Sequence, residues 1–143
     1  MRKNVKRSQR SWLAGCLLVV VPAAIAATAC TANTNAEPVS ISPGELAKLI
    51  QLEQAPLILD VRSDKEYGEA HIPGAVNIPH DQLPDRLSEI DAAKTDEIVV
   101  HCRSGYRARV AGKILVEAGY SDVRDLDGHM NAWQRGGYPT EQP

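Results

Sequence analysis

The sequence contains no phenylalanine and few aromatic residues of any kind, which together make up 4% of the chain. Hydrophobic residues nevertheless account for 43% of its 143 residues, so a core must be built mainly from leucine, isoleucine, valine and alanine. Aliphatic side chains of this kind suit strands that are buried on both faces beneath helices. The length is sufficient for one domain and short for two of ordinary size.

Cysteine is also scarce, because the chain has only Cys16, Cys30 and Cys102. The first two lie within residues 1–36, which leaves Cys102 as the single thiol of the remaining chain. One cysteine cannot form an intramolecular disulfide within residues 37–143, and it cannot supply the four ligands of a cysteine zinc site. Both a disulfide framework and a zinc site of that type are therefore excluded for this part of the chain.

Acidic residues are absent from residues 1–36, which carry five basic residues within their first ten positions. Residues 37–143 carry the other 11 basic residues and all 18 acidic ones, which leaves them a formal charge of −7. Binding to nucleic acid needs a basic face, and an acidic body of this kind does not provide one. Nucleic acid is therefore excluded as a general partner.

The basic start is followed by residues 13–29, an uncharged and mostly apolar run that ends in Ala27-Thr28-Ala29. This arrangement predicts a signal peptide over residues 1–29 and an exported protein in the periplasm or another extracytoplasmic space. Cys30 follows directly, so cleavage before it and acylation of its thiol would tether the chain to a membrane. Cleavage elsewhere would release a soluble product, and both outcomes stay open. Residues 30–38 are short and polar, and they predict a linker.

From residue 39 onward, short apolar runs alternate with helical patterns. The predicted strands cover residues 39–41, 57–59, 76–78, 98–100 and 123–126. The predicted helices cover residues 43–53, 83–90, 107–118 and 129–135. Strands that alternate with helices predict an α/β fold with a mainly parallel sheet, formed by residues 39–143 as one domain.

The segment that most strongly indicates chemistry is Cys102-Arg103-Ser104-Gly105-Tyr106-Arg107, between a predicted strand and a predicted helix. Cys102 would lie at the carboxyl end of a central strand, where parallel sheets bind ligands. The following N–H groups, the helix N-terminus and the charges of Arg103 and Arg107 would favour its thiolate and attract an anion. Gly105 would let the turn close without a Cβ clash. A lone cysteine is usually a core residue, but a core cysteine is not normally followed by such a polar, glycine-containing run.

This loop resembles the active-site loop of rhodaneses, and other segments resemble the family's remaining signatures. The N-terminal signature is similar to Leu59-Asp60-Val61-Arg62, Glu66-Tyr67 and His71-Ile72-Pro73-Gly74-Ala75-Val76-Asn77-Ile78-Pro79. The C-terminal signature is similar to Leu126-Asp127-Gly128-His129-Met130-Asn131-Ala132-Trp133 and Gly137-Tyr138-Pro139. The likeness implies a rhodanese-like fold with a mainly parallel sheet of about five strands and helices on both faces. His129 departs from it, since many members have a second glycine there.

The resemblance implies a thiosulfate sulfurtransferase that works by ping-pong transfer. The Cys102 thiolate would attack the outer sulfur of a small anionic donor such as thiosulfate, release sulfite and keep the sulfur as a persulfide. A thiol or cyanide would then accept that sulfur, and no metal or organic cofactor would be needed. The residues that would bind the substrate are Arg103, Ser104, Gly105, Tyr106 and Arg107.

Three other functions use a similar fold or a similar cysteine motif. A non-catalytic sulfur carrier or binding module would share the same fold. Phosphatases and arsenate reductases also hold an anion in a cysteine loop, but the phosphatase pattern places arginine where this chain has Ala108. A C-x-x-C oxidoreductase is excluded because position 105 is glycine.

Several remaining residues are predicted to be structural. Asp60 and Arg62 are expected to form ion pairs that hold loops together, and His71 is expected to stabilise a turn. Trp133 is expected in the core. The spacing of the other histidines does not suit a metal site.

Overall fold

The computed structural model describes residues 39–143. The predicted signal peptide, the predicted linker and Cys30 lie outside the described residues. The strands are β1 (Ser40–Ile41), β2 (Leu57–Asp60), β3 (Val76–Asn77), β4 (Glu97–His101) and β5 (Asp122–Leu126). The helices are α1 (Pro43–Gln51), α2 (Asp64–Glu69), α3 (Tyr106–Glu117) and α4 (His129–Arg135), with two 3₁₀ turns at Leu83–Asp85 and Leu87–Glu89.

The strands form one sheet in the order β1-β5-β4-β2-β3, and every pairing within it is parallel. This confirms the predicted α/β class and the predicted five-stranded parallel sheet. Strand β4 lies in the middle, where it pairs Asp60 of β2 with His101 and Asp125 of β5 with Val100. The carboxyl ends of these three strands therefore meet at one edge of the sheet.

Helices cover both faces of the sheet, as predicted. On one face, Ala111 and Leu115 of helix α3 and Leu83 of the first 3₁₀ turn pack with Leu59, Ile98 and Val100 of the sheet. On the other face, Leu46 of α1 and Met130 and Trp133 of α4 pack with Ile41, Ile58 and Val99 of the sheet. Trp133 is fully buried, which confirms its predicted place in the core, and its indole N–H donates to the Pro139 carbonyl oxygen at 2.7 Å.

Two elements differ from the predictions. Residues 83–90 form two 3₁₀ turns instead of one helix, because Arg86 lies at φ −115°, ψ 15° and interrupts helical geometry. The turns still direct Leu83, Leu87 and Ile90 to the core, so the apolar spacing that predicted a helix is satisfied by tighter turns.

Helix α2 was missed, because it is six residues long and buries none of them. Its signal was the capping box, in which Ser63 accepts from the Glu66 N–H and the Glu66 carboxylate accepts from the Ser63 N–H. Within residues 39–143, no helix combines the length and the apolar character that crossing a membrane requires.

Candidate active site

Cys102 follows the last residue of the central strand, at the edge where β2, β4 and β5 end. Its side chain is almost completely buried, with 1% of the residue exposed. The chain then turns sharply into helix α3, and the Gly105 N–H donates a hydrogen bond to the Cys102 Sγ at 3.1 Å. A backbone donor and the amino end of a 12-residue helix therefore face the sulfur, and both stabilise negative charge there.

The turn requires glycine at position 105. Gly105 has a φ of +115°, which side-chain-bearing residues rarely adopt. A Cβ atom added to Gly105 would lie 2.8 Å from the His129 Nε2, which is closer than van der Waals contact allows. Conformation and space therefore both exclude a larger residue at this point of the loop.

The first turn of helix α4 donates two backbone hydrogen bonds to the same loop. The Met130 N–H donates to the Cys102 carbonyl oxygen at 3.0 Å, and the Asn131 N–H donates to the Arg103 carbonyl oxygen at 3.2 Å. His129 is buried at a φ of +54° and packs on Gly105, with its Nε2 3.7 Å from an Asp125 carboxylate oxygen. The contact between His129 and Gly105 was not predicted. Its indication in the sequence was that His129 stands where many rhodaneses have glycine.

Arg107 is held in an ion pair with Glu66 of helix α2. Its two terminal nitrogens donate to the two carboxylate oxygens at 2.6 and 2.9 Å, and each side chain is only 23% exposed. The hydrogen bonds from Arg107 lower the pKa of Glu66 to about 2, so its carboxylate is ionised throughout the neutral range. Glu66 in turn raises the pKa of Arg107, and the nearby Cys102 thiolate contributes in the same direction. The sequence did not predict this pairing.

The other loop residues predicted to bind substrate face solvent. Arg103 is exposed, and the structure gives its side chain no hydrogen bond or ion pair within residues 39–143. It lines a cavity of about 150 Å³ together with Arg62, Glu66, Glu69, Ala70, Met130 and Gln134. Ser104 is exposed and Tyr106 is 74% exposed at the tip of the loop. The substrate-binding roles of the loop residues, Arg103, Ser104, Gly105, Tyr106 and Arg107, therefore stay predictions.

Asp60 and Arg62 form the predicted ion pair beside this cavity. The pair is buried, with a shortest distance of 2.6 Å, and Arg62 also donates to the Ala70 carbonyl oxygen at 2.8 Å. The arginine therefore ties the end of strand β2 to the loop after helix α2. His71 places its Nδ1 3.0 Å from the Tyr67 carbonyl oxygen, in agreement with its predicted turn-stabilising role.

His101 is completely buried beside Asp60 and Cys102, and the sequence predicted no role for it in the site. Its Nε2 lies 3.7 Å from an Asp60 carboxylate oxygen and has no hydrogen-bond partner. Burial lowers its pKa to about 4, although the Asp60 charge opposes that shift. His101 is therefore neutral at pH 7. Within residues 39–143, no three histidine, cysteine or acidic side chains are grouped as a metal site would require.

The chain matches a known protein family and is similar in sequence to known proteins. Residues 42–136 match the family model described as Rhodanese-like domain. A sulfurtransferase from Allochromatium vinosum is 38% identical over 87 residues, which cover 61% of this chain and 79% of that protein. Thiosulfate sulfurtransferase GlpE from Pseudomonas fluorescens is 34% identical over 101 residues, which cover 69% of this chain and 87% of that protein.

Solved structures show the same fold. The crystal structure of the Alr3790 protein from Anabaena sp. is similar with a TM-score of 0.66 and 33% sequence identity. The similarity covers 72% of this chain and 82% of that one. The family match over residues 42–136 includes the Cys102 loop, the four helices and strands β2 to β5.

Proposed function

The chain belongs to the rhodanese-like domain family and is similar to the two sulfurtransferases described above, and we propose that it transfers sulfur through a persulfide on Cys102. The donor would be thiosulfate or a similar small anion, and the acceptor would be a thiol or cyanide. The observation that carries the proposal is the hydrogen bond from the Gly105 N–H to the Cys102 Sγ at the amino end of α3. A donor aimed at the sulfur stabilises the thiolate that must attack.

Each half of the proposed reaction is a displacement at sulfur. The Cys102 thiolate forms a bond to the outer sulfur of thiosulfate, the sulfur–sulfur bond of the donor breaks, and sulfite leaves with the electron pair. The acceptor then attacks the outer sulfur of the persulfide, and Cys102 leaves as a thiolate ready for another cycle. The Gly105 N–H would help to hold the persulfide, because it already points at the sulfur before the donor arrives.

A sulfur carrier that keeps its persulfide for a particular partner is the second candidate. The burial of Cys102 favours it, because a persulfide formed there would be protected from reaction with other thiols in solution. In that case thiosulfate would still load Cys102, but cyanide would remove the sulfur slowly. The two candidates therefore share the first half-reaction and differ in the second.

Intact-mass measurement and a thiocyanate assay test both halves. Incubation with thiosulfate should add the mass of one sulfur atom to the protein, and cyanide should remove it as thiocyanate. Cys102→Ser should abolish both signals while the protein stays folded, because a serine hydroxyl is neither ionised near neutral pH nor able to hold a persulfide. A sulfur adduct on folded Cys102→Ser would refute the proposed role of Cys102. Loading without thiocyanate release would identify the carrier.

We also propose that the protein is exported. The support comes from the sequence alone: five basic residues precede an uncharged apolar run that ends in Ala27-Thr28-Ala29. Cys30 stands where a lipid anchor would be attached if cleavage occurs directly before it. An extracytoplasmic site would place the sulfur transfer outside the cytosol, either at a membrane surface or in solution.

A further inference from the structure

Three arginine side chains surround the Cys102 loop, but they do not offer three positive charges to a ligand. Arg62 is neutralised by Asp60 in a buried pair, and Arg107 is neutralised by Glu66. Among residues 39–143, Arg103 is the one loop arginine whose charge has no carboxylate partner in the structure. A donor that enters the adjacent cavity therefore meets one uncompensated side-chain charge instead of three.

Glu66 holds Arg107 firmly because Glu66 is itself fixed. Its carboxylate accepts four hydrogen bonds, two from Arg107 and two from the N–H and hydroxyl of Ser63. The Ser63 contacts belong to the cap of helix α2, so the carboxylate cannot swing away without opening that cap. For Arg107 to bind a donor, a bidentate and partly buried ion pair would have to be broken first. That cost is absent for Arg103.

The cavity beside Arg103 has room for a small group only. A volume of about 150 Å³ corresponds to roughly five water molecules, well below the size of pockets that enclose drug-sized ligands. Glu66 and Glu69 also line it, and the charge of Glu66 is already balanced by Arg107. A doubly charged anion therefore enters a space that offers one unpaired arginine and contains one further acidic residue, Glu69.

We propose that Glu66 determines donor specificity, by holding Arg107 in a neutral pair and so disfavouring the thiosulfate dianion relative to donors with one negative charge or none. The proposal rests on the sulfur-transfer function proposed above. The favoured class is an organic hydropersulfide, R–S–SH, whose tail is uncharged. Attack of the Cys102 thiolate on its outer sulfur breaks the sulfur–sulfur bond, leaves the outer sulfur on Cys102 as a persulfide and releases R–S⁻. No further reactant is needed.

The test compares two donors on the same variants. For wild type and Glu66→Gln, kcat/KM is measured with thiosulfate and with a hydropersulfide that has an uncharged tail. Glutamine can still cap helix α2 through Ser63, but it no longer neutralises Arg107. The thiosulfate-to-hydropersulfide ratio of kcat/KM should rise roughly tenfold in Glu66→Gln, since one charge-assisted hydrogen bond to the dianion becomes available. Using the ratio cancels any change in the reactivity of Cys102 itself.

Asp64→Asn is the matched control. Asp64 lies on the same helix, is exposed and lines a small cavity together with Arg107, but it forms no hydrogen bond or ion pair with that arginine. Its replacement by asparagine removes the same formal charge. Its ratio should stay within about twofold of wild type, because exposed charges are screened by salt and solvent. An equal rise in Asp64→Asn and Glu66→Gln would mean that overall charge, not the pair with Arg107, controls the choice of donor.

A second variant keeps the proposal testable if Glu66→Gln does not fold. Arg103→Gln in the otherwise native chain should lower the same ratio roughly tenfold, because it removes the single uncompensated charge. An unchanged ratio in Arg103→Gln and Glu66→Gln, with both donors active, would overturn the specificity proposal alone. Failure of both donors to load Cys102 in the wild type would overturn the sulfur-transfer function, and the specificity proposal with it.

Discussion

At the scale of single residues, polar side chains are buried beside Cys102, and some of their nitrogen atoms have no hydrogen-bond partner. Asp60 is completely buried, and its charge is balanced by the ion pair with Arg62. His101 is equally buried, but its Nε2 has no hydrogen-bond partner, and neither has the Nδ1 of the buried His129. An unpaired buried nitrogen is unfavourable, and burial makes its protonation more unfavourable still, although a carboxylate lies 3.7 Å from the Nε2 of each histidine. These histidines therefore make stability sensitive to pH.

The pH dependence follows from the direction of the His101 shift. Its folded pKa of about 4 lies below the ordinary value of 6.5, so the unfolded chain binds this proton more readily. The stabilisation is fully present above pH 6.5 and is lost as pH falls from 6.5 towards 4, in total about 3 kcal/mol. Burial also lowers the pKa of His129, which adds a contribution of the same sign.

We expect His101→Gln to flatten this dependence. The free energy of unfolding, measured by denaturant titration, should fall by about 2 kcal/mol or more in the wild type between roughly pH 7.5 and pH 5. The variant should lose less over the same interval, even if its stability is lower at both values. Glu66 does not disturb the comparison, because its pKa of about 2 places its loss of stabilisation below pH 4.5. Equal slopes in the two proteins would contradict the prediction.

At the scale of elements, the site is the junction of β4 with α3, supported by the start of α4. The junction requires a positive φ at Gly105, and α4 provides N–H donors to the carbonyl groups of Cys102 and Arg103. Loop and support are thus connected through backbone hydrogen bonds, which do not depend on the side chains of residues 130 and 131. Within the Cys102 loop, Gly105 tolerates no side chain, because an added Cβ atom would clash with His129.

Gly105→Ala, directly before helix α3, and Gly112→Ala, within it, form a matched pair. Gly105→Ala should destabilise the protein by roughly 1–3 kcal/mol and slow persulfide formation, because strain and the His129 contact displace the N–H from the sulfur. Gly112 lies in the interior of α3 with no atom near its would-be Cβ, so Gly112→Ala should stabilise by roughly 0.5–1 kcal/mol without slowing the reaction. Thermal unfolding and the rate of sulfur loading are the measurements. A fully active Gly105→Ala would show that the Gly105 hydrogen bond is dispensable.

At the scale of the whole molecule, charge divides the sequence into a basic part and an acidic part. The basic residues 1–36 have the composition of a targeting segment, and residues 37–143 carry a charge of −7. The acidic part attracts small anions only locally, at the loop where the helix N-terminus and Arg103 are found. An anionic donor must therefore be recognised at close range, since long-range attraction is absent.

Export is tested on protein recovered from the native host. We expect a mature chain that lacks residues 1–29 and is found outside the cytosol. If Cys30 is acylated, the mass should include a lipid, and Cys30→Ala should release the protein from the membrane fraction. Cys16→Ala is the control, because Cys16 has no apolar segment before it and should have no effect. A mature cytosolic chain that still begins at Met1 would refute the prediction of export.

The sequence by itself determined the fold class and most of the elements, though not helix α2. The apolar runs that end at Asp60, at His101 and at Leu126 are strands, and alternation with helices is sufficient to imply a parallel sheet. The position of Cys102 between strand and helix followed from the same pattern, as did the need for Gly105. These features are local: periodicity, caps and turn chemistry act over a few residues, so they can be read along the chain. At residues 83–90, one helix and two 3₁₀ turns would bury the same side chains, so the sequence did not distinguish between them.

Only the tertiary structure decided how the charges of the site are paired. Glu66 and Arg107 are 41 positions apart, and nothing in their local sequences indicates that they meet. The structure likewise brought His129 against Gly105 and enclosed His101 beside Asp60. Electrostatic partners are chosen by distance and burial in three dimensions, because the strength of a charge interaction depends on both. The presence of arginines in the loop could therefore be predicted, whereas their availability to a substrate depended on the fold.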